Sequence, residues 1–127
     1  MTIKKILVCG SRGKYKDYKE KVYSIMREKL YNDNTIFPDG IMFIIIEGCC
    51  PNSADEYAEE FCEETKITIR HYPAKEGKYL ERDRQMAEDC DEVVAFWNGI
   101  SRGTLYTLTQ AILRNKPVNI IPLQEAK

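Results

Sequence analysis

Apolar positions in this chain fall into short continuous runs separated by longer stretches of helical periodicity. Ile3 to Cys9 is a strand-like run whose last four residues are all apolar, and Met42 to Ile46 is continuously apolar and rich in isoleucine. Such runs fit strands buried on both faces of a parallel sheet. Ile67 to His71 alternates, and Glu92 to Phe96 and Val118 to Ile121 complete five predicted strands. Between them lie helical patterns. Asp17 to Leu30 carries Tyr18, Val22, Ile25, Met26 and Leu30 on one stripe, and Ser53 to Glu64 carries Tyr57, Ala58, Phe61 and Cys62. Tyr79 to Asp89 is a more charged helix, and Ser101 to Arg114 ends at Asn115-Lys116-Pro117. Asp17 with Glu20, and Ser53 with Glu56, have the spacing of capping boxes. Asn32-Asp33-Asn34 and Pro38-Asp39-Gly40 read as loop.

Strands alternating with helices predict a parallel sheet covered on both faces. The expected fold is α/β: a Rossmann-like three-layer sandwich with a five-stranded parallel sheet ordered 3-2-1-4-5, formed by one domain spanning residues 1–127. Ligands of such sheets bind at the carboxyl ends of the strands, where the strand order reverses, here between strands 1 and 4.

Three turns lie at that edge. Gly10-Ser11-Arg12-Gly13 follows strand 1, and Gly48 to Asn52 follows strand 2. Asn98-Gly99-Ile100-Ser101-Arg102-Gly103-Thr104 follows strand 4 and opens the last helix. Glycine-rich strand-to-helix turns present backbone N–H groups, and the helix dipole favours an anion there. Gly10, Gly99 and Gly103 suit turns with positive φ. Arg12 can make a bidentate contact with a phosphate, or it is a surface arginine. Ser53 caps its helix or lines the site, and Asp55 either favours the helix N-terminus or accepts a ribose hydroxyl. Arg82 reaches the crevice or is solvated, and Ser101 and Thr104 cap their helix or bind phosphate. Trp97 and Tyr72 are aromatics available to a base, and Trp97 suits a lid or a dimer contact equally. His71 reads as structural.

Composition narrows the partners. Net charge is −1, yet residues 1–30 hold nine Lys/Arg against three acids, an excess of +6 around the first turn. That field attracts a phosphate, or it is a solvated helix face. With near-neutral overall charge and no basic stripe interleaved with aromatics, nucleic acid is not the expected partner. The longest apolar run, Gly40 to Ile46, is far short of the roughly 20 residues that span a bilayer. The N-terminal residues lack the pattern of a signal peptide, so a cytoplasmic protein is expected. Five cysteines, an odd number, with a single His and no Cys-x-x-Cys, predict neither a disulfide framework nor a zinc site, and no cofactor or metal is expected.

Gly10-Ser11-Arg12, the stretch Glu47 to Asp55, Tyr72-Pro73-Ala74-Lys75, Gly77-Lys78, Arg82-Asp83, Met86, Ala95-Phe96 and Gly99 to Thr104, in this order, resemble the SLOG superfamily, most closely its small YspA-like branch. The resemblance spans about residues 3–121. It implies a nucleotide or nucleotide-derived ligand, with a sensor, carrier or sequestering role, and allows a homodimer. The implied ligand residues are Gly10, Ser11, Arg12, Gly48, Asn52, Ser53, Asp55, Arg82, Gly99, Ser101, Gly103 and Thr104. More distant relatives, the LOG-type phosphoribohydrolases, cleave N-glycosidic bonds and carry a Glu shortly after a Gly-Thr motif; DNA-processing DprA is another. Here Gly103-Thr104 is followed by Leu105-Tyr106-Thr107-Leu108, with no carboxylate until Glu125. An N-glycosidic hydrolase or transferase acting on nucleoside monophosphates is the alternative. Its candidate acids are Glu47, Asp55 and Asp83.

Overall fold

Thr2 to Gly10 forms β1, and its alternation sorts the whole core. Ile6 and Val8 face one side of the sheet, Leu7 and Cys9 the other. In the computed structural model, which describes residues 2–31 and 40–125, the elements follow as α1 (Tyr18–Tyr31), β2 (Ile41–Glu47), α2 (Ala54–Thr65) and β3 (Thr68–His71). Then come α3 (Tyr79–Asp89), β4 (Glu92–Trp97), α4 (Arg102–Leu113) and β5 (Val118–Pro122). The predicted loops at Asn32-Asp33-Asn34 and Pro38-Asp39 lie outside the described residues.

All strand pairings are parallel, and the order is β3-β2-β1-β4-β5. The sheet has α1 and α2 on one face, where Val22, Met26 and Phe61 pack on Ile6, Ile45 and Val94. On the other face α3 and α4 bring Met86, Ala87, Leu108 and Ala111 onto Leu7, Ile46 and Val93. This is the expected Rossmann-like three-layer arrangement. Winding reverses between β1 and β4, which opens a crevice above their carboxyl ends. Among the described residues no helix is long and apolar enough to cross a membrane.

Two local expectations need correction. Asp17 has φ 53°, a left-handed backbone, whereas an N-cap residue is extended, so the capping box with Glu20 does not form. At α2, Ser53 does cap, accepting from the Asp55 amide at 3.2 Å, but Glu56 reaches one residue further back and accepts from the Asn52 N–H at 3.0 Å.

Candidate functional site

The first turn is held from below by one tyrosine. The buried Tyr18 hydroxyl donates to the Ser11 carbonyl at 2.8 Å and accepts from the Ala54 N–H at 2.9 Å. That joins β1's exit to the start of α2. Gly10 sits against this junction: a Cβ there would lie 2.5 Å from the Tyr18 hydroxyl and 2.8 Å from the Phe96 carbonyl oxygen. Gly10 is therefore required by close approach and not by backbone hand. Of Gly10, Gly99 and Gly103 only Gly99 has positive φ, 82°, which corrects the expectation for Gly10 and Gly103.

Ser11 is buried and consumed internally. Its amide donates to the Phe96 carbonyl at 2.8 Å, and its hydroxyl accepts from the Asn98 amide at 3.1 Å. It staples the first turn to the third. Arg12, the next residue, is exposed at the rim, with Nη2 3.7 Å from the Cys50 sulfur.

The second turn folds around Asp55. The Gly48 and Cys50 amides both donate to its Oδ2, at 3.1 and 3.2 Å. Only 4 % of Asp55 is exposed. Burial pushes its pKa up to about 7; the Cys50 and Gly48 amides and Arg82 oppose that shift, and Glu47 adds to it. Ser53, fully buried, donates to the Cys50 carbonyl at 2.7 Å and caps α2, so it supports this turn from inside.

Arg82 rises from the first turn of α3 and is spent on protein groups. Its Nε donates to Asp83 at 2.7 Å, and Nη1 donates to the carbonyls of Gly48 and Tyr72, the latter at 3.2 Å. It ties the exits of β2 and β3 to α3. Gly48 leaves the room for it, since a Cβ there would meet Nη1 at 2.6 Å. Burial raises the pKa of Asp83 against the pull of Arg82.

The third turn is an Asn-centred hook. Asn98 Oδ1 accepts from the Ile100 and Ser101 amides at 2.9 and 2.8 Å, and its Nδ2 donates to Tyr15 at 2.8 Å. Ser101 precedes α4 without making a side-chain cap hydrogen bond. The first-turn amides of α4 are thus left to solvent or a ligand. Nothing lies within 4 Å of where a Gly103 Cβ would be, so the approach to them is open.

These elements enclose a cleft of about 380 Å³. Of the sequence-predicted residues, Gly10, Arg12, Asp55, Arg82, Asp83, Ser101, Gly103 and Thr104 line it. The buried Ser11, Gly48 and Ser53 and the exposed Gly99 do not line it, and Asn52 lines a separate hollow beside Arg12 and Tyr57. Glu47 is fully buried outside the cleft. Sequence reasoning missed Cys9, Cys50, Tyr79, Met86 and Thr107, which complete the lining. Cys9 is one of these lining residues: burial, then the charges of Asp55 and Asp83, push its thiol pKa well above the usual range. The aromatic facing the cleft is Tyr79, 57 % exposed, with the Arg82 guanidinium 5.9 Å from its ring centre. Tyr72 is tied to Asp89 by a 2.6 Å hydrogen bond, and the Trp97 indole donates to the Ser101 carbonyl at 3.0 Å. Neither lines the cleft. The helical rows Tyr79-Asp83-Met86 and Gly103-Thr107 were the signal that could have found the missing residues, since such spacing puts them on one helix face.

No protein-family profile matches the chain, and no curated protein matches it.

Proposed function

We propose that the protein is a small cytoplasmic SLOG-type domain that binds a nucleotide or nucleotide-derived ligand in this cleft, as a sensor, carrier or sequestering protein. One juxtaposition carries the reading. The exposed guanidinium of Arg12 and the uncapped start of α4 border a cleft whose wall also holds the buried Asp55 carboxylate. Cation and helix dipole suit a phosphate. A carboxylate that lines the cleft suits a ribose hydroxyl. Tyr79 offers an exposed ring to a base. Five free cysteines accord with a reducing compartment. Binding is favoured over N-glycosidic cleavage because the α4 residues that line the cleft are Gly103, Thr104 and Thr107, with no carboxylate where the hydrolase branch carries its Glu.

Arg12→Ala is expected to weaken nucleoside monophosphate binding by about 1.5–3 kcal/mol, roughly ten- to hundredfold, with no change in unfolding midpoint. The side chain is exposed and makes one weak contact to sulfur, so the fold does not depend on it. Calorimetric titration of both proteins with AMP, GMP, CMP and UMP checks this. Equal affinities would remove Arg12 from the site.

A further inference from the structure

Away from the cleft, Glu47, Cys49 and His71 converge in a way the function above does not use. Glu47 and His71 end β2 and β3 as register partners, so the two side chains stand next to each other at the sheet edge. Cys49 follows two residues later with φ 62°, and its sulfur comes to 3.5 Å from Glu47 Oε1. His71 Nδ1 contacts the same oxygen, and one potential ligand atom from each residue lies within 4.8 Å of the others.

We propose that Glu47, Cys49 and His71 form a zinc-type metal site, separate from the nucleotide cleft. Three observations lead there. The donor set is a carboxylate, a thiol and an imidazole, the mixture of nitrogen, sulfur and oxygen that zinc accepts and that magnesium and calcium do not. In tetrahedral coordination the expected zinc–sulfur and zinc–oxygen bonds, about 2.3 and 2.0 Å, separate sulfur from oxygen by about 3.5 Å. The Cys49–Glu47 spacing of 3.5 Å meets that geometry, and His71 Nδ1, hydrogen-bonded directly to the same oxygen, would swing back to admit the ion.

The second observation is charge. The Glu47 side chain is 0 % exposed, and among the described residues its one ion-pair partner is His71, itself 43 % exposed. A buried carboxylate needs a firm positive partner. A metal ion supplies it, taking the place of the proton on the His71–Glu47 contact.

The third is support and access. Glu47 Oε2 accepts from the Cys49 amide, which orients the carboxylate as a second-layer hydrogen bond does in metal sites. Cys49 and His71 are exposed, so a fourth coordination position opens to solvent, where a water or a substrate group can bind. Glu47 and Cys49 flank Gly48 at the start of the turn whose Gly48 and Cys50 amides hold Asp55. A metal there would also stiffen one wall of the cleft.

The test is a cobalt titration of the full chain after treatment with a chelator. We expect one equivalent of Co²⁺ to give a thiolate-to-cobalt charge-transfer band with the intense visible absorption of four-coordinate cobalt, both erased by one equivalent of Zn²⁺. Cys49→Ser should lose the charge-transfer band. His71→Ala should weaken zinc at least about tenfold in a competition with a chromophoric chelator. Cys50→Ser, one residue away, should keep the band. Circular dichroism melting of each variant establishes that it is folded, and Cys49→Ala serves if the serine variant is not. Absence of the band in wild type, its survival in Cys49→Ser, or its loss in Cys50→Ser would overturn the proposal. None of these results depends on nucleotide binding.

Discussion

Asp55→Asn is expected to stabilise the protein above neutral pH and to flatten its stability profile between about pH 4 and pH 8. Asp55 has a folded-state pKa of about 7 against 3.8 for the ordinary group, because burial disfavours its charge. Between those values the folded chain holds a proton that the unfolded chain has released. The stability contributed by the neutral carboxyl is therefore complete below about pH 4 and is lost as pH rises through about 7. Wild-type protein should lose roughly 2–4 kcal/mol over that interval from this group. Asparagine stays neutral throughout, and its carbonyl oxygen can still accept the Gly48 and Cys50 amides that now donate to Oδ2. Some slope should persist in the variant, since the pKa of Asp83 is also raised by burial. Urea unfolding at a series of pH values checks this. Parallel curves for the two proteins would show that Asp55 titrates as an ordinary carboxylate.

The second large effect is expected at Gly10. Even alanine there places a methyl group 2.5 Å from the Tyr18 hydroxyl, 2.8 Å from the Phe96 carbonyl oxygen and 2.9 Å from Ala54 Cβ. Two of these neighbours are backbone or rigidly packed, and the third is the hydroxyl joining Ser11 to Ala54. Relief requires moving that hydroxyl, which leaves the Ala54 amide and the Ser11 carbonyl without their partner. Overpacking costs about 1–3 kcal/mol and an unsatisfied buried group about the same again. Gly10→Ala should thus lower stability by roughly 2–5 kcal/mol and disorder the first turn. Gly103→Ala is the matched control. It has open space around it and lies in a helix, so it should be neutral or slightly stabilising in denaturant melts. Similar midpoints for the two variants would contradict this account of the first turn.

The sheet order was legible because each strand is a short apolar run and each helix has a stripe at its own period. Ile6 and Leu7 point to opposite faces by the pleat alone, and both faces are covered. Arg12, Ser101, Gly103 and Thr104 were legible as cleft residues because they follow strands whose position in the sheet the topology determines. Ser11, Ser53 and Arg82 were harder. A serine after a strand can offer its hydroxyl to a ligand or to another turn, and the partner that decides for Ser11 is Asn98, far along the chain. Arg82 looks available in sequence, yet the carbonyls of Gly48 and Tyr72 claim it in space. Asp17 has the right spacing for a capping box and the wrong backbone for it. The Glu47–His71 pairing depends on the β2–β3 register, so no local spacing in the sequence displays it.

The proposed nucleotide site lies above the carboxyl ends of β1 and β4. The most direct measurement is an amide NMR titration of the whole protein with nucleoside monophosphates, with inorganic phosphate as a parallel probe. Saturable shifts should concentrate on Gly10 to Gly13 and on Asn98 to Thr104, with the Arg102, Gly103 and Thr104 amides moving most. Inorganic phosphate should move the same α4 amides at higher concentration, and Arg12→Ala should shift the saturation point upward. Saturable shifts centred elsewhere, or none at these amides with any of the four monophosphates, would contradict the assignment of this cleft.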